Sequence, residues 1–313
     1  MTSATPILDA PHKPYGGKLL IRRSTSEHRS LFGEIALAMR EVWDSRELVY
    51  QLVLRDVRVR YQQAVMGFAW ALFMPLMIVL SGTLVRVAMA TASGSALEPA
   101  ILGATAVKGV AWAFFAGALG IGTQSLLANT ALITKLYFPR EVLPLASVLS
   151  QAVDSGIGTA ALLFLLPFMG LRLTAALLWV PLIAALLFVV TVVFTLFTSC
   201  ANLFFRDVKY IVQVMLTFGI FLTPVFFEPA MFGPIGGPLM MLNPISPLIE
   251  GLRLTVIEGH NLLLPMITIN RHGAHILAWS PWYLAYSAVW AIGGLVLSMR
   301  IFRRSAVLFA EYA

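Results

Sequence analysis

Charge is scarce in this chain: Asp, Glu, Lys and Arg make up 12% of its 313 residues, against 59% hydrophobic residues. Soluble domains carry about 25% charged residues, so an ordinary soluble core is excluded and a polytopic membrane protein is expected. Cysteine occurs once, at Cys200, which excludes an intrachain disulfide and a thiolate metal cluster. There is no Gly-x-x-x-x-Gly-Lys-[Ser/Thr] phosphate loop, because Gly16-Gly17-Lys18-Leu19 has neither the spacing nor the hydroxyl. There is no His-Glu-x-x-His. His272 and His275 stand three apart with no third ligand near them, so no metal site is expected. His, Asp and Glu nowhere cluster at one membrane depth, and no catalytic residue is assigned. The first 30 residues hold Pro6, Pro11, Pro14, Lys18, Arg22 and Arg23 but no apolar signal-peptide core, so the N-terminus is expected to stay in the cytoplasm.

What the sequence does contain is apolar length. After the charged stretch Arg55-Asp56-Val57-Arg58-Val59-Arg60-Tyr61, no charge appears from Ala64 to Val85, a run of 22 residues. At about 1.5 Å per residue it covers roughly 33 Å, enough for a bilayer core of about 30 Å. A basic collar beside a span marks the cytoplasmic side. Leu48, Val49, Leu52, Val53 and Val57 recur at helical spacing before it, as in a helix lying along the inner membrane surface or packed on another soluble-side element. Five more stretches follow: Gly109–Leu127, Val142–Leu171 (broken by Asp154), Leu173–Phe205, Val208–Phe227 and Ser280–Met299. Six spans put both termini on one side. Of the 22 Lys and Arg residues, 17 fall on the side predicted to be cytoplasmic, which fixes the orientation. The net charge of +7 follows from that collar, and no nucleic-acid partner is expected.

The longest outer connection, Glu228 to Trp279, is dense in Pro and Gly, yet Leu239–Leu242 and Leu248–Ile257 are apolar. Short apolar pieces broken by proline read as re-entrant or interfacial helices. Asp154 is the one acid inside a span and has to face protein or water rather than lipid. With Ser147, Gln151, Ser155 and Thr159 it forms a polar stripe, either the wall of a hydrated path or a helix–helix hydrogen-bond seam. Ala116/Gly120 and Ala118/Gly122 supply small-residue packing pairs. Trp279, Trp282, Tyr283, Tyr286 and Trp290 recur at helical intervals, as an interfacial belt or as a stacking track for sugar rings. Thr134-Lys135-Leu136-Tyr137-Phe138-Pro139-Arg140-Glu141 mixes aromatics and charges around a proline. It reads as a cytoplasmic docking site, or as aromatics dipping into the headgroups.

Several of these pieces carry a family resemblance. Leu54 to Tyr61, Gly67-Phe68-Ala69-Trp70 with Pro75, and Tyr137-Phe138-Pro139-Arg140-Glu141-Val142-Leu143-Pro144 come first. Phe205-Arg206-Asp207-Val208, Leu222-Thr223-Pro224-Val225-Phe226-Phe227 and Asn243-Pro244-Ile245 follow in order. Together they resemble the permease subunits of type-2 ABC exporters (the ABC-2 class) that export O-antigen, capsular polysaccharide or teichoic acid. The resemblance implies an all-α integral membrane fold. It would have six transmembrane helices, an N-terminal amphipathic interface helix (here Leu48–Gln63, with Arg55, Asp56, Arg58, Arg60 and Tyr61) and re-entrant outer helices between spans five and six (here Pro229–Ile257). Residues 1–45 would be a largely mobile cytoplasmic extension, 46–305 the transmembrane domain and 306–313 a cytoplasmic tail.

The resemblance further implies a homodimer in the bacterial inner membrane, paired with two copies of a separate nucleotide-binding ATPase. That partner would hold ATP and Mg, and this chain would bind no cofactor. Lys135, Leu136, Tyr137, Phe138, Pro139, Arg140 and Glu141 map onto the ATPase-coupling loop. The implied substrate is an undecaprenyl-linked glycan. Ser147, Gln151, Asp154, Ser155, Trp279, Trp282, Tyr283 and Tyr286 are the candidate channel-lining residues. The N-terminal extension and the insert around His260–Trp279 depart from the shorter family members. Export of a small lipid or drug, and an ion-coupled carrier using Asp154, stand as alternatives.

Overall fold

The computed structural model describes residues 31–62, 69–94, 99–135, 138–169, 171–269, 275–306 and 309. Helices dominate. In chain order they are α1 (Leu31–Asp44), α2 (Arg46–Tyr61), α3 (Ala69–Ser93), α4 (Pro99–Gly122), α5 (Ser125–Ala128), α6 (Thr130–Lys135) and α7 (Val142–Leu165). Then come α8 (Trp179–Phe204), α9 (Val208–Leu222), α10 (Gly233–Met240), α11 (Ser246–Arg253) and α12 (Pro281–Ala306). Among the described residues four helical segments are long and apolar enough to cross a membrane: Ala100–Gly122, Val142–Met169, Ala175–Phe204 and Pro281–Ala306. Leu76–Ala92 and Val208–Leu222 are shorter apolar helices. The chain is a multi-pass membrane protein.

Proline punctuates these helices where its chemistry requires. Pro144 and Pro181 sit in the first turns of α7 and α8, where a missing N–H leaves no bond unmade. Pro224 acts in the opposite sense: it drives Thr223 out of the helical region (φ −114°, ψ 154°), and α9 stops at Leu222. The apolar run to Phe227 is therefore not one helix. At 15 residues α9 is about 22 Å long, short of a full bilayer core.

α4 is the interior helix, packed against α3, α7, α8, α9 and α11. Small residues permit that. A Cβ on Gly117 would lie 2.6 Å from the Gln151 side chain, and one on Gly122 would lie 2.2 Å from Thr195 Cγ2. Ala118 is fully buried, so the Ala118/Gly122 pair does pack helices, against α8. The Ala116/Gly120 pair does not: Gly120 has only Leu216 near it, at 3.9 Å, and both residues line an open cavity. α8 and α12 form the other extended helix pair. α2 lies along α7, with Val49 and Leu52 buried in a cluster with Val142, Leu143 and Ala146. Its apolar face therefore meets protein.

The segment after α9 makes short pieces, as its Pro and Gly content predicts: a 3₁₀ turn (Pro229–Phe232), α10, α11 and a π turn (Leu254–Glu258) closed by left-handed Gly259 (φ 66°). One element departs from an all-α reading. Strands β1 (Met266–Ile269) and β2 (His275–Trp279) pair antiparallel, with Ile267 opposite Leu277 and a bulge beside Met266. Ile267, Thr268, Ile269 and Ile276 are β-branched, which favours strand over helix in this insert.

The contrast between the two glycines gives a test of the packing. Gly122→Ala is expected to destabilise the protein by about 1–2 kcal/mol through overpacking on Thr195. Gly120→Ala is expected to be neutral or slightly stabilising, as alanine favours helix. Thermal unfolding in detergent would read both, and equal effects would contradict the packing described.

Candidate functional site

The acid at the thirteenth position of α7 has partners. Asp154 is 5% exposed, forms an ion pair with Arg60, and accepts a 2.7 Å hydrogen bond from the Tyr61 hydroxyl. Arg60 also reaches Gln151 Oε1 and Ser150 Oγ at 3.4 Å each. Burial pushes the Tyr61 phenol up, with Arg60 opposing, so the hydroxyl keeps its proton and remains a donor. Because α2 lies along α7, its last turn delivers these two side chains about 18 Å from the start of α7. The basic collar and the membrane acid thus form one unit. Neither was paired by sequence reasoning; the only signal was that a lone acid in a span needs a counter-charge, with no indication of which one. The other collar residues point away: Arg55 and Arg58 are exposed, and Asp56 pairs with Arg55 at 2.8 Å.

Beside this unit lies a cavity of about 780 Å³. Arg60, Tyr61, Gln124, Gln151, Asp154 and Ser155 form its polar lining, and Trp70, Ala116, Gly117 and Gly120 are among its apolar wall. Gly120 and Gln124 also border a second cavity of about 510 Å³ against α9, with Lys209, Gln213 and Thr217. The first cavity's wall is mostly apolar, with amide, hydroxyl and indole groups among its lining, so it can meet a ligand that presents both apolar faces and hydrogen-bonding groups. Of the polar stripe on α7, Gln151, Asp154 and Ser155 border this space. Ser147 does not: it is buried and donates to the Leu143 carbonyl at 3.2 Å.

The aromatic track divides in the same way. Trp279 is fully buried; its indole donates to the Leu262 carbonyl at 2.9 Å and its ring meets Tyr283 edge-on. It belongs to the core and lines no channel, because β2 turns it inward against α11 and the 262 turn. Tyr283 is half-buried, Tyr286 donates to the Leu242 carbonyl at 2.7 Å, and Trp282 stands 80% exposed. Among the described members of the track, Trp282 and Trp290 are the exposed ones.

In the predicted docking loop, Leu136 and Tyr137 lie outside the described residues. Lys135 is exposed at the end of α6. Phe138 is half-buried against the cluster around Val142, Phe302 and Phe309. Beyond Pro139, Arg140 donates to the Ala306 carbonyl and Glu141 accepts from Arg303 at 2.8 Å. The second half of the loop is fastened to the end of α12. His272 also lies outside the described residues, and His275 is exposed on β2.

At the other end of the bundle sits a charge network that sequence reasoning did not assemble. Arg86 of α3 pairs with Glu228 at 3.1 Å, and Arg253 of α11 pairs with Glu250 at 2.6 Å and with Glu258. Lys108, fully buried on α4, donates to the Phe227 carbonyl at 3.1 Å and faces Glu250 Oε2 at 3.9 Å. Three cations meet three acids, so the group is neutral. Arg253, Glu228, Glu258, Arg172 and His260 also border an 850 Å³ cavity at this end. Burial pushes the Glu228 carboxyl up, but Arg253, Arg86 and Lys108 outweigh it and hold it below the usual range.

With this geometry in view, comparison with known proteins gives a consistent answer. The family model for the ABC-2 type transporter matches residues 47–257. The chain belongs to the ABC-2 type transporter family. Two similar proteins, from Klebsiella pneumoniae and Myxococcus xanthus, are each named O-antigen export system permease protein RfbA. The first is 25% identical over 215 residues, covering 68% of this chain and 81% of the relative. The second is 27% identical over 189 residues, covering 60% and 71%. A further Klebsiella pneumoniae protein of the same name is 24% identical over 215 residues. The matched region of this ABC-2 chain begins at α2 and ends in the π turn, so it contains the Arg60–Asp154 unit and most of the charge network.

Two outcomes follow. Asp154→Ala alone should destabilise this ABC-2 protein by about 3 kcal/mol, the lower end for a broken buried pair because Arg60 keeps partial exposure. The pair Arg60→Met with Asp154→Leu should recover most of that loss in detergent unfolding. Glu228, held low in the fold, contributes stability that is full above its ordinary value and is lost as pH falls through the lowered one. The melting temperature should therefore drop more between about pH 5 and pH 3 in the wild type than in Glu228→Gln. Parallel pH profiles would contradict the network.

Proposed function

We propose that the chain is the membrane-spanning permease of an ATP-driven exporter of lipid-linked O-antigen. It would work as a homodimer of six-span subunits in the inner membrane, with two copies of a separate ATPase. The observation that carries this reading is the shared name of the relatives, O-antigen export system permease, over 60–68% of this chain. The absence of a phosphate loop from the sequence supports a motor on another polypeptide. Glu41 of α1 and Arg303 of α12 are in contact at 2.6 Å, so the first and last long helices among the described residues meet at one end of the bundle, as an even number of spans would require.

In this reading α3 and α9 are spans one and five, and α10 and α11 re-enter the membrane as outer caps. The short α9 supports that: where its helix stops, the chain turns into the short helices α10 and α11, whose apolar residues would continue at membrane depth. The cavity beside α4 and α7 would be one wall of the conduit, with Gln124, Gln151 and Ser155 supplying hydrogen bonds to glycan hydroxyls and Trp70 an apolar ring face. Asp154, held by Arg60 and Tyr61, would serve as a fixed counter-charge of that wall rather than as a mobile proton carrier.

Deletion of the gene in a strain making O-antigen tests the proposal. Surface O-antigen should disappear while full-length glycan accumulates on its lipid carrier inside the cell, and Gln151→Leu with Ser155→Val should reduce export at least threefold at unchanged protein level. Unaltered surface glycan in the deletion strain would overturn the reading.

A further inference from the structure

We propose that Arg303 is the positioning residue of the ATPase-coupling loop, and that α1 of the N-terminal extension acts on that loop through it. The inference rests on the assignment of residues 134–141 as the loop that meets the ATPase.

The geometry is a three-way junction. Arg303, near the end of α12, donates from Nε to Glu141 Oε1 at 2.8 Å and from Nη2 to Glu41 Oε2 at 2.6 Å. Glu141 is the last residue of the loop and the cap residue of α7, and it is buried. Glu41 lies in the last turn of α1. A guanidinium presents its donors in a fixed fork, so holding two carboxylates at once fixes their separation. Residues far apart in the chain thereby meet at one planar group.

The neighbouring contacts reinforce the junction. Arg140 donates to the Ala306 carbonyl, one of the helix-end acceptors that α12 leaves without an internal partner. Its guanidinium lies over the Phe309 ring at 5.7 Å. Phe309 is fully buried, with Phe302 at 5.1 Å and Phe204 at 6.1 Å between ring centres. Phe138, on the other side of Pro139, packs on the same cluster. Thus the loop's last residues are held at their apolar side by α8 and α12 and at their charged side by Arg303.

This arrangement has a mechanical consequence. A push delivered to the loop reaches α7 through Glu141 and α12 through Arg303 together, rather than α7 alone. Removing the guanidinium leaves the buried Glu141 carboxylate unpaired, so the junction shifts while the helices stay packed. The Glu41 contact is more exposed, with that side chain 41% accessible, so its loss should matter less for stability and act chiefly on the angle of the loop.

The test uses the complete complex, permease with its ATPase in proteoliposomes, and reads ATP hydrolysed per glycan exported. Arg303→Ala should raise that ratio at least threefold, with the ATPase still co-purifying and the melting temperature lowered by the unpaired Glu141 carboxylate. Arg303→Lys should restore the ratio in part. Glu41→Gln should raise it about twofold, and Arg303→Ala with Glu41→Gln should be no worse than Arg303→Ala alone, as expected for a shared path. An unchanged ratio in both Arg303→Ala and Glu41→Gln would overturn the inference. So would a loss of complex and stability in Arg303→Ala with no change of ratio in Glu41→Gln. Lys135→Glu separates this from the loop assignment. If it weakens ATPase capture while the Arg303 variants keep the wild-type ratio, the inference alone fails. If it leaves capture and turnover untouched, the loop assignment falls and the inference with it.

Discussion

A charge placed inside an apolar helix bundle has to be matched within the protein, because neither lipid nor a packed core will solvate it. This constraint organises the chain at both ends. Toward the termini, Arg60 closes on Asp154, and Arg303 joins Glu141 to Glu41. At the opposite end, Arg86, Lys108 and Arg253 meet Glu228, Glu250 and Glu258. The longer-range pairs link segments distant in sequence: α2 to α7, α12 to the loop before α7 and to α1, α3 to the segment after α9, and α4 to α11. The apolar surfaces bring helices together without direction; the ion pairs specify which faces meet and at what height.

Within that frame α4 serves as the axis. Its small residues admit α7 and α8 at close range on one side and leave room for cavities on the other. The consequence for function is a division of labour along a single helix. Lys108 donates to the Phe227 carbonyl and faces Glu250 of α11, while Gly117 and Gly120 border the cavity proposed to take glycan. The pairing of Asp154 with Arg60 supplies the counter-charge that a carboxylate in a span needs and ties the end of α2 to α7.

Much of this was legible in the sequence, for physical reasons that can be named. Long runs without charge located the apolar helices, and the clustering of Pro and Gly after Phe227 announced short pieces. Pro224 ended α9 earlier than the apolar run implied, since the residue before a proline is disfavoured in the helical region and Thr223 is extended. The loop Thr134–Glu141 stood out by composition, but the half-burial of its Phe138 did not, because an exposed aromatic and a core aromatic read alike in one dimension. Trp279 was misplaced for the same reason: its position in a strand, rather than on the face of α12, aims it into the core. Charge partners were not legible at all. Asp154 demanded a cation, but ten Lys and Arg residues precede Ala64, and only the packing of α2 on α7 selects Arg60.

The central claim is that this ion-paired bundle forms half of a glycan conduit whose energy comes from a separate polypeptide. The most direct measurement is transfer of lipid-linked O-antigen across proteoliposome membranes containing the purified chain, with and without its ATPase. The account predicts transfer only when the ATPase and ATP are both present. Transfer by this chain alone, or ATP hydrolysis by it in isolation, would contradict the account.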